Sequence, residues 1–186
     1  MKAVVVSRAG GPEVLEVLER ELPSIKPGWS LVKVMGFGIN HSEIFTRQGL
    51  SPSVVFPRVL GIEMVGVIEE TSNPSRLSVG QKVVSIMGEM GRAYDGGYAE
   101  YALLPNDNLY TIETDLDWRD LASVPETYYT AYGSMKNLKI EAKDRILVRA
   151  GSSGVGQAFA KLVRARFPEV SLIASVRRLD KEEKIL

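Results

Sequence analysis

The sequence predicts a mixed α/β protein in which an antiparallel β-barrel or sandwich is followed by a parallel β–α–β unit. Residues 1 to about 115 hold many short apolar runs separated by glycines and prolines, a pattern typical of closely spaced strands. From Trp118 onward, apolar runs alternate with helical patterns, which favours a parallel sheet. We therefore expect a first domain over residues 1–120 and a second over residues 121–186.

The strands of the first domain follow from the apolar runs and the residues that interrupt them. They are expected over residues 3–7, 14–19, 29–34, 59–70 and 96–105, and residues 79–86 are expected to form a turn that leads into another strand. A helix start is expected at Asn40-His41-Ser42-Glu43. There the side chain of Asn40 or Ser42 can cap the helix, and an acidic residue such as Glu43 is favoured in the first turn.

The second domain contains helical and apolar segments in alternation. Helices are expected over residues 118–123, 126–138, 157–167 and 177–186, and strands over residues 146–150 and 171–176. Because a strand, a helix and a second strand follow one another, the two strands are expected to be parallel.

The turn between residues 146–150 and the next helix is rich in glycine: it reads Gly151-Ser152-Ser153-Gly154-Val155-Gly156. Glycines in such a turn let the chain leave the strand sharply, let a pyrophosphate approach the backbone, and let the helix pack closely on the sheet. The helix N-terminus then offers free N–H groups to phosphate. A tight surface turn is the alternative, but the flanking strand and helix favour dinucleotide binding.

Composition argues against several classes of function. The chain has 186 residues, with 23 Lys plus Arg balanced by 23 Asp plus Glu, so nothing favours nucleic acid or an anionic membrane as the partner. No apolar run approaches the roughly 20 residues of a membrane-spanning helix, and the N-terminal run is too short for a signal peptide. There is no cysteine, which excludes disulfides and thiolate metal sites. We expect a cytoplasmic protein.

Several stretches of the sequence resemble the medium-chain dehydrogenase/reductase superfamily and its zinc-free quinone oxidoreductase branch. They occur in the order and at the spacing of that family, over residues 11–16, 38–40, 57–68, 79–83, 96–101, 130–132 and 151–156. The resemblance implies a GroES-like β-barrel domain followed by a Rossmann domain, with the active site in the cleft between them.

The same resemblance argues against zinc. Asn40 stands where the zinc-bearing branch has a cysteine, and Ile62-Glu63 stands where it has a His-Glu pair. Catalytic zinc usually needs three protein ligands. His41 is the only histidine, and Glu63 is the only other obvious ligand. We therefore expect a zinc-free protein, and a structural role is favoured over a catalytic one for His41.

The resemblance implies hydride transfer from a reduced nicotinamide to a quinone or an α,β-unsaturated carbonyl. Asn40 matches an asparagine near the nicotinamide and substrate, and Thr130 matches a threonine beside the nicotinamide. Phe45 stands where the family often has a tyrosine and would only line the pocket. The alternatives are a helix cap for Asn40 and a hydrogen bond to its own helix backbone for Thr130.

The end of the second parallel strand favours NADPH over NADH. NAD sites place an acidic residue about 20 residues beyond the glycine turn. Here the corresponding region has no acid at the strand end: Ser175 is followed by Arg177 and Arg178, and Lys181 lies close behind. Arginine pairs well with a 2′-phosphate. The alternative is a solvated helix start capped by Asp180.

Length leaves the function of the chain open. A Rossmann domain has about six strands, whereas this sequence supplies two before Leu186. We expect either a fragment or a chain whose open sheet edge is covered by association, as in a homo-oligomer. An NADPH-dependent quinone or enone reductase is the first hypothesis. A truncated, non-catalytic nucleotide-binding or dimerising module is the second, and an interaction scaffold without nucleotide is the third.

Overall fold

The computed structural model describes residues 1–178 and divides the chain into two compact units, Met1–Glu126 and Thr127–Leu186. Lys181 and most of the helix predicted over residues 177–186 lie outside the described residues. Within the described part of the chain, no helix is both long and apolar enough to cross a membrane.

The first unit is built from two antiparallel sheets. Its strands are β1 (Lys2–Val6), β2 (Leu15–Glu19), β3 (Trp29–Gly36), β4 (Arg58–Val59), β5 (Glu63–Thr71), β6 (Lys82–Ile86), β7 (Tyr101–Pro105) and β8 (Tyr110–Thr111). One sheet has the order β2-β1-β4 and the other the order β7-β3-β5-β6-β8. An isolated bridge joins Ala3 of β1 to Ala99, just before β7.

Short helices connect these strands. They are α1 (Ser42–Arg47), α2 (Trp118–Ala122) and two 3-10 turns, Pro12–Val14 and Asn106–Asn108. Helix α2 contacts β3 and β5, and its Leu121 is buried. Because α2 packs on the sheet, the first unit continues to Glu126, beyond the boundary near residue 120 that the change of pattern predicts.

The core of the first unit comes from alternating side chains of these strands. Strand β7 alternates between buried and half-buried positions along its length, as expected for a strand with one face on a core. The largest cluster of buried side chains comprises Val32, Met64, Ile68, Leu77, Val83, Met90, Ala102, Leu104 and Leu109.

The strands predicted over residues 59–70 and 96–105 are shorter in the structure, and both are shortened for the same physical reason. The chain leaves the sheet between β4 and β5, where Gly61 has φ +106°, and it joins β7 only at Tyr101. A Cβ on Gly61 would lie 2.7 Å from the backbone nitrogen of Gly97. The two glycine-containing segments therefore pack backbone against backbone instead of forming the continuous strands 59–70 and 96–105.

The second unit confirms the predicted parallel β–α–β arrangement, and with the antiparallel first unit it confirms the predicted fold class. Helix α3 (Pro125–Leu138), which begins in the first unit, precedes β9 (Arg145–Arg149), α4 (Gly154–Arg166) and β10 (Ser171–Ser175). Strands β9 and β10 are parallel and in register. Their buried face packs with Ala131, Met135, Ile140, Ala158, Phe159, Val163 and Val170. On the other face of the sheet, Leu147 is 61% exposed.

Candidate functional site

Asn40 lies just before α1 and is held at two of its atoms. Its side-chain Nδ2 donates to Glu63 Oε1 at 2.7 Å, and its backbone nitrogen donates to Glu43 Oε2 at 2.7 Å. The predicted side-chain cap by Asn40 or Ser42 is wrong. His41 occupies the cap position and makes no side-chain cap hydrogen bond. The Asn40 amide is drawn instead to a carboxylate that is 23 residues away in the sequence.

Glu63 begins β5 and is only 3% exposed. Its second oxygen, Oε2, accepts from the backbone nitrogen of Glu126, in the first turn of α3, at 2.7 Å. Both carboxylate oxygens therefore receive N–H donors, one from a side chain and one from a helix N-terminus, where anionic groups are favoured. Gly38 lies against this carboxylate so closely that a Cβ there would overlap it.

Glu43 is the second buried carboxylate, 5% exposed. Its Oε1 accepts from the backbone nitrogen of Ile62 at 2.9 Å, and its Oε2 also accepts from the Tyr98 hydroxyl. The sequence predicts Glu43 only as a favourable first-turn acid and gives no role to Tyr98. The one available signal is the Asn-x-x-Glu spacing, which is that of a capping box, in which a glutamate accepts from a backbone nitrogen three residues earlier.

Burial sets the protonation of this cluster. Burial raises the pKa of Glu43 and the pKa of Glu63, since it disfavours the charged form. Burial and the hydrogen bond to Glu43 also raise the pKa of Tyr98. Tyr98 therefore remains a neutral hydroxyl donor, and Asn40 lies between two carboxyl groups that hold a proton more tightly than they do in the unfolded chain.

This shift predicts the sign of a pH effect on stability. The stabilisation from a raised carboxyl pKa is complete below the ordinary value of 4.5 and is lost as the pH rises through the raised value. A Glu63→Gln variant has no such proton to lose. We expect Glu63→Gln to be less stable than wild type at about pH 5, and the difference in free energy of unfolding to shrink as the pH rises further, as measured by chemical denaturation.

Glu69→Gln is the matched control, because Glu69 is an exposed glutamate of the same strand, β5. The stability difference between Glu69→Gln and wild type should stay constant over the same pH range. A constant difference for Glu63→Gln as well would contradict a raised pKa at Glu63.

Asn40, Glu43 and Tyr98 line one wall of a cavity of about 350 Å³. The other lining residues are largely apolar: Val4, Leu15, Phe37, Ile39, Ile44, Arg47 and Leu60. A largely apolar cavity with a few convergent polar groups is the usual form of a small-molecule site.

The other two predicted catalytic residues lie elsewhere. Phe45 is on α1, half exposed, with its ring edge-on to His41 at 5.6 Å, and it does not line this cavity. Thr130 is an exposed residue of α3 in the second unit, and its carbonyl accepts from Ser134 Oγ at 3.0 Å. Their catalytic roles remain predictions.

The residue that turns the chain just before the glycine-rich turn is not a glycine. Ala150 takes the left-handed conformation, with φ +58°, and turns the chain off β9. The glycines provide close approach instead. A Cβ on Gly151 would lie 2.6 Å from Ala174 Cβ, and a Cβ on Gly156 would lie 2.5 Å from the Ala150 carbonyl oxygen. The prediction that a glycine makes the sharp turn is therefore wrong, whereas close packing explains Gly151 and Gly156.

The turn exposes the start of α4. Ser153 caps the helix by accepting from the backbone nitrogen of Gly156 at 3.1 Å. Ser153, Gly154 and Val155 are exposed, and the first turn has no acidic residue. The first amides of a helix have no acceptor within the helix. This N-terminus therefore has the donors and the electrostatics that a pyrophosphate requires.

The two parallel strands end side by side at this turn. The backbone nitrogen of Gly151 donates to the Ser175 carbonyl at 2.9 Å, and Arg149 pairs with Ser175 across the sheet. Arg177 and Arg178 follow two and three residues later and are exposed. The structure thus brings the glycine turn, Arg177 and Arg178 to one edge, whereas Lys181 lies outside the described residues.

The donor set does not match a zinc site. Within residues 1–178, no three His, Cys, Asp or Glu side chains are grouped so that they could hold a metal ion. The two oxygens of Glu63 already accept from N–H groups. The absence of zinc remains a prediction.

A barrel-like unit with a buried amide–carboxylate site, joined to a β–α–β unit with a phosphate-type turn, is the architecture of a nucleotide-dependent dehydrogenase. Residues 26–114 match the alcohol dehydrogenase GroES-like domain. The chain belongs to the medium-chain dehydrogenase/reductase superfamily, as the sequence predicts.

Its relatives within that superfamily include quinone oxidoreductases. The quinone oxidoreductase of Pongo abelii is 34% identical over 169 residues, which cover 89% of this chain and 50% of the relative. A Pseudomonas syringae quinone oxidoreductase structure superimposes with a TM-score of 0.86 at 27% identity, covering 98% of this chain and 55% of that one.

A third relative was solved with a cofactor. The Thermus thermophilus quinone oxidoreductase, described with its NADPH complex, has a TM-score of 0.78 at 26% identity, covering 97% of this chain and 55% of that one. The chain therefore spans about half the length of the relatives that it matches.

Proposed function

We propose that this chain carries the substrate site and the phosphate-binding turn of an NADPH-dependent, zinc-independent oxidoreductase that transfers hydride to a quinone or an α,β-unsaturated carbonyl. The main support for this proposal is the hydrogen bond that the backbone nitrogen of Gly151 donates to the Ser175 carbonyl. It places the exposed N-terminus of α4 beside the strand end that leads to Arg177 and Arg178. Pyrophosphate and 2′-phosphate can then be held at a single edge.

The residues present fit NADPH, which supplies the hydride when it is bound. Ser152, Gly154 and Val155 would hold the pyrophosphate through backbone N–H groups, and Ser153 through its hydroxyl, because its own N–H donates to the Ala150 carbonyl. Arg177 and Arg178 would pair with the 2′-phosphate, since guanidinium groups match phosphate geometry. Such a reaction needs positioning from the protein more than acid–base chemistry.

The cavity beside Asn40 supports a small, apolar substrate. Its walls are largely apolar, and polar groups come from Asn40, Glu43, Arg47 and Tyr98. The names of the quinone oxidoreductase relatives agree with this substrate class. We also propose that the partner is a small molecule rather than nucleic acid or a membrane, and that the location is cytoplasmic. Association of copies of the chain would cover the open edge of the parallel sheet.

The cofactor assignment predicts the effect of reversing two charges. We expect an Arg177→Glu, Arg178→Glu variant to bind NADPH about 10-fold or more weakly than wild type, because a loss of about 1.4 kcal/mol is tenfold. NADH lacks the 2′-phosphate, so its affinity should change much less. Fluorescence titration of both cofactors measures the two dissociation constants.

The matched control is Arg164→Glu, Arg166→Glu, which makes the same charge change at exposed positions on α4. It should leave the NADPH-to-NADH affinity ratio unchanged. Equal NADPH binding by wild type and the Arg177→Glu, Arg178→Glu variant would rule out the 2′-phosphate assignment.

Turnover of a simple quinone separates the functional hypotheses. NADPH binding with quinone reduction supports the reductase. NADPH binding without turnover supports a non-catalytic nucleotide-binding module, and no binding of either nicotinamide cofactor would overturn the proposal.

A further inference from the structure

We propose that Glu63 is a positioning residue that fixes the side-chain amide of Asn40, so that Asn40 offers its oxygen, Oδ1, to a hydrogen-bond donor on the bound ligand. This inference deepens the proposed function, on which the presence of a ligand at Asn40 rests. It names the chemistry of the ligand group that Oδ1 binds as a donor, an amide N–H or a hydroxyl, and a hydroxyl is what a quinone oxygen becomes on reduction.

The hydrogen bond between Asn40 and Glu63 has one direction when Glu63 is ionised. An asparagine amide has two N–H donors at Nδ2 and an acceptor at Oδ1, and at a pH above its raised pKa the Glu63 carboxylate can only accept. Asn40 Nδ2 donates to Glu63 Oε1 at 2.7 Å. A 180° turn of the amide would place Oδ1 against that carboxylate oxygen, and two acceptors would then face each other.

The Glu63 side chain is held in place on several sides. It is almost fully buried, its other oxygen accepts from the backbone nitrogen of Glu126 at 2.7 Å, and Gly38 packs against it. The Asn40 backbone is anchored as well, because its nitrogen donates to Glu43 at 2.7 Å. The amide is therefore held at both its base and its nitrogen.

The remaining end of the Asn40 amide is its oxygen, Oδ1. Within residues 1–178, Oδ1 has no hydrogen-bond partner, and it is accessible rather than buried. Asn40 lines the 350 Å³ cavity. An accessible acceptor on the wall of an apolar cavity selects a ligand group that donates, since an unpaired donor or acceptor costs binding energy.

A donor–acceptor exchange tests this inference. In the Asn40→Asp, Glu63→Gln double variant, the glutamine introduced at position 63 can donate its Nε2 to the aspartate introduced at position 40, while its Oε1 accepts from the Glu126 nitrogen. Net charge and side-chain size are preserved, and an oxygen still faces the cavity. The single Asn40→Asp variant places two carboxylates in contact, and the single Glu63→Gln variant lets the Asn40 amide turn over.

We expect each single variant to lower kcat/KM for quinone reduction at least 10-fold and to lower the midpoint of thermal unfolding. The double variant should recover most of both losses, a coupling that independent effects would not give. Glu69→Gln, at an exposed position on the same strand, should change neither quantity. A double variant that regains thermal stability but not kcat/KM would overturn the inference, because it would show that the site needs the N–H of Asn40.

A measurement on the wild-type chain does not depend on turnover. In ¹⁵N NMR, one Asn40 side-chain hydrogen should exchange slowly with solvent, and the protection should disappear in Glu63→Gln. Rapid exchange of both hydrogens in wild type would overturn the inference. If wild type neither binds NADPH nor reduces a quinone, the proposed function fails, whereas the fixed amide is still judged by NMR and by the thermal rescue.

Discussion

Replacement of Glu43 by alanine is expected to lower the free energy of unfolding by about 3 kcal/mol or more. Glu43 is the shared acceptor of three donors: the backbone nitrogens of Asn40 and Ile62 and the hydroxyl of Tyr98. Each buried donor that loses its acceptor costs about 1 to 3 kcal/mol. Relief of the buried charge offsets part of that cost.

The same substitution should also disturb the candidate site, because Glu43 anchors the backbone of Asn40. We expect quinone reduction to fall at least 10-fold in Glu43→Ala. Urea denaturation followed by circular dichroism measures the stability, and steady-state kinetics measures the turnover. The loss of turnover should persist at temperatures where the variant is fully folded.

Two further variants serve as controls for the loss of stability expected in Glu43→Ala. Glu69→Ala removes an exposed glutamate of β5 and should change stability by less than about 0.5 kcal/mol. Tyr98→Phe removes only one of the three donors, so it should cost less than Glu43→Ala. A Glu43→Ala variant as stable as Glu69→Ala would show that the three hydrogen bonds contribute nothing.

The fold could be predicted from the sequence because its signals are local. Apolar runs between glycines and prolines mark β1, β3 and β6, and the strand–turn–helix from Ile146 onward is readable from the spacing of its apolar residues. The shortened strands show the limit of local signals. Gly61 and Gly97 end them by packing against each other, which no window of neighbouring residues contains.

The site is only partly predictable, for the same reason. Asn40 and the glycine turn belong to motifs, so the sequence identifies them. Glu43 and Tyr98 are 55 residues apart, and their contact exists only after the two sheets have formed. The sequence presents Glu63 only as a potential metal ligand, because its partners, the Asn40 amide and the start of α3, meet it through the tertiary fold.

Gly38→Ala is the second substitution with a large expected effect, and its cause is the buried carboxylate of Glu63. The added Cβ would overlap the carboxylate, whose two oxygens are held by hydrogen bonds from Asn40 Nδ2 and the Glu126 nitrogen. Displacing it would remove the acceptor of Asn40 Nδ2 and of the Glu126 nitrogen. We expect a loss of about 2 to 4 kcal/mol in the free energy of unfolding, and a loss of quinone reduction.

Backbone strain cannot produce this effect, because Gly38 is not among the glycines with positive φ. Gly133→Ala is the matched control: Gly133 lies inside α3 with no atom within 4 Å of an added Cβ. It should raise stability by about 0.5 to 1 kcal/mol, since alanine is the better helix former. The two Gly→Ala changes therefore have opposite predicted signs in the same denaturation experiment. If Gly38→Ala were neutral, Glu63 would have room to move, and it could not be the group that holds the Asn40 amide in place.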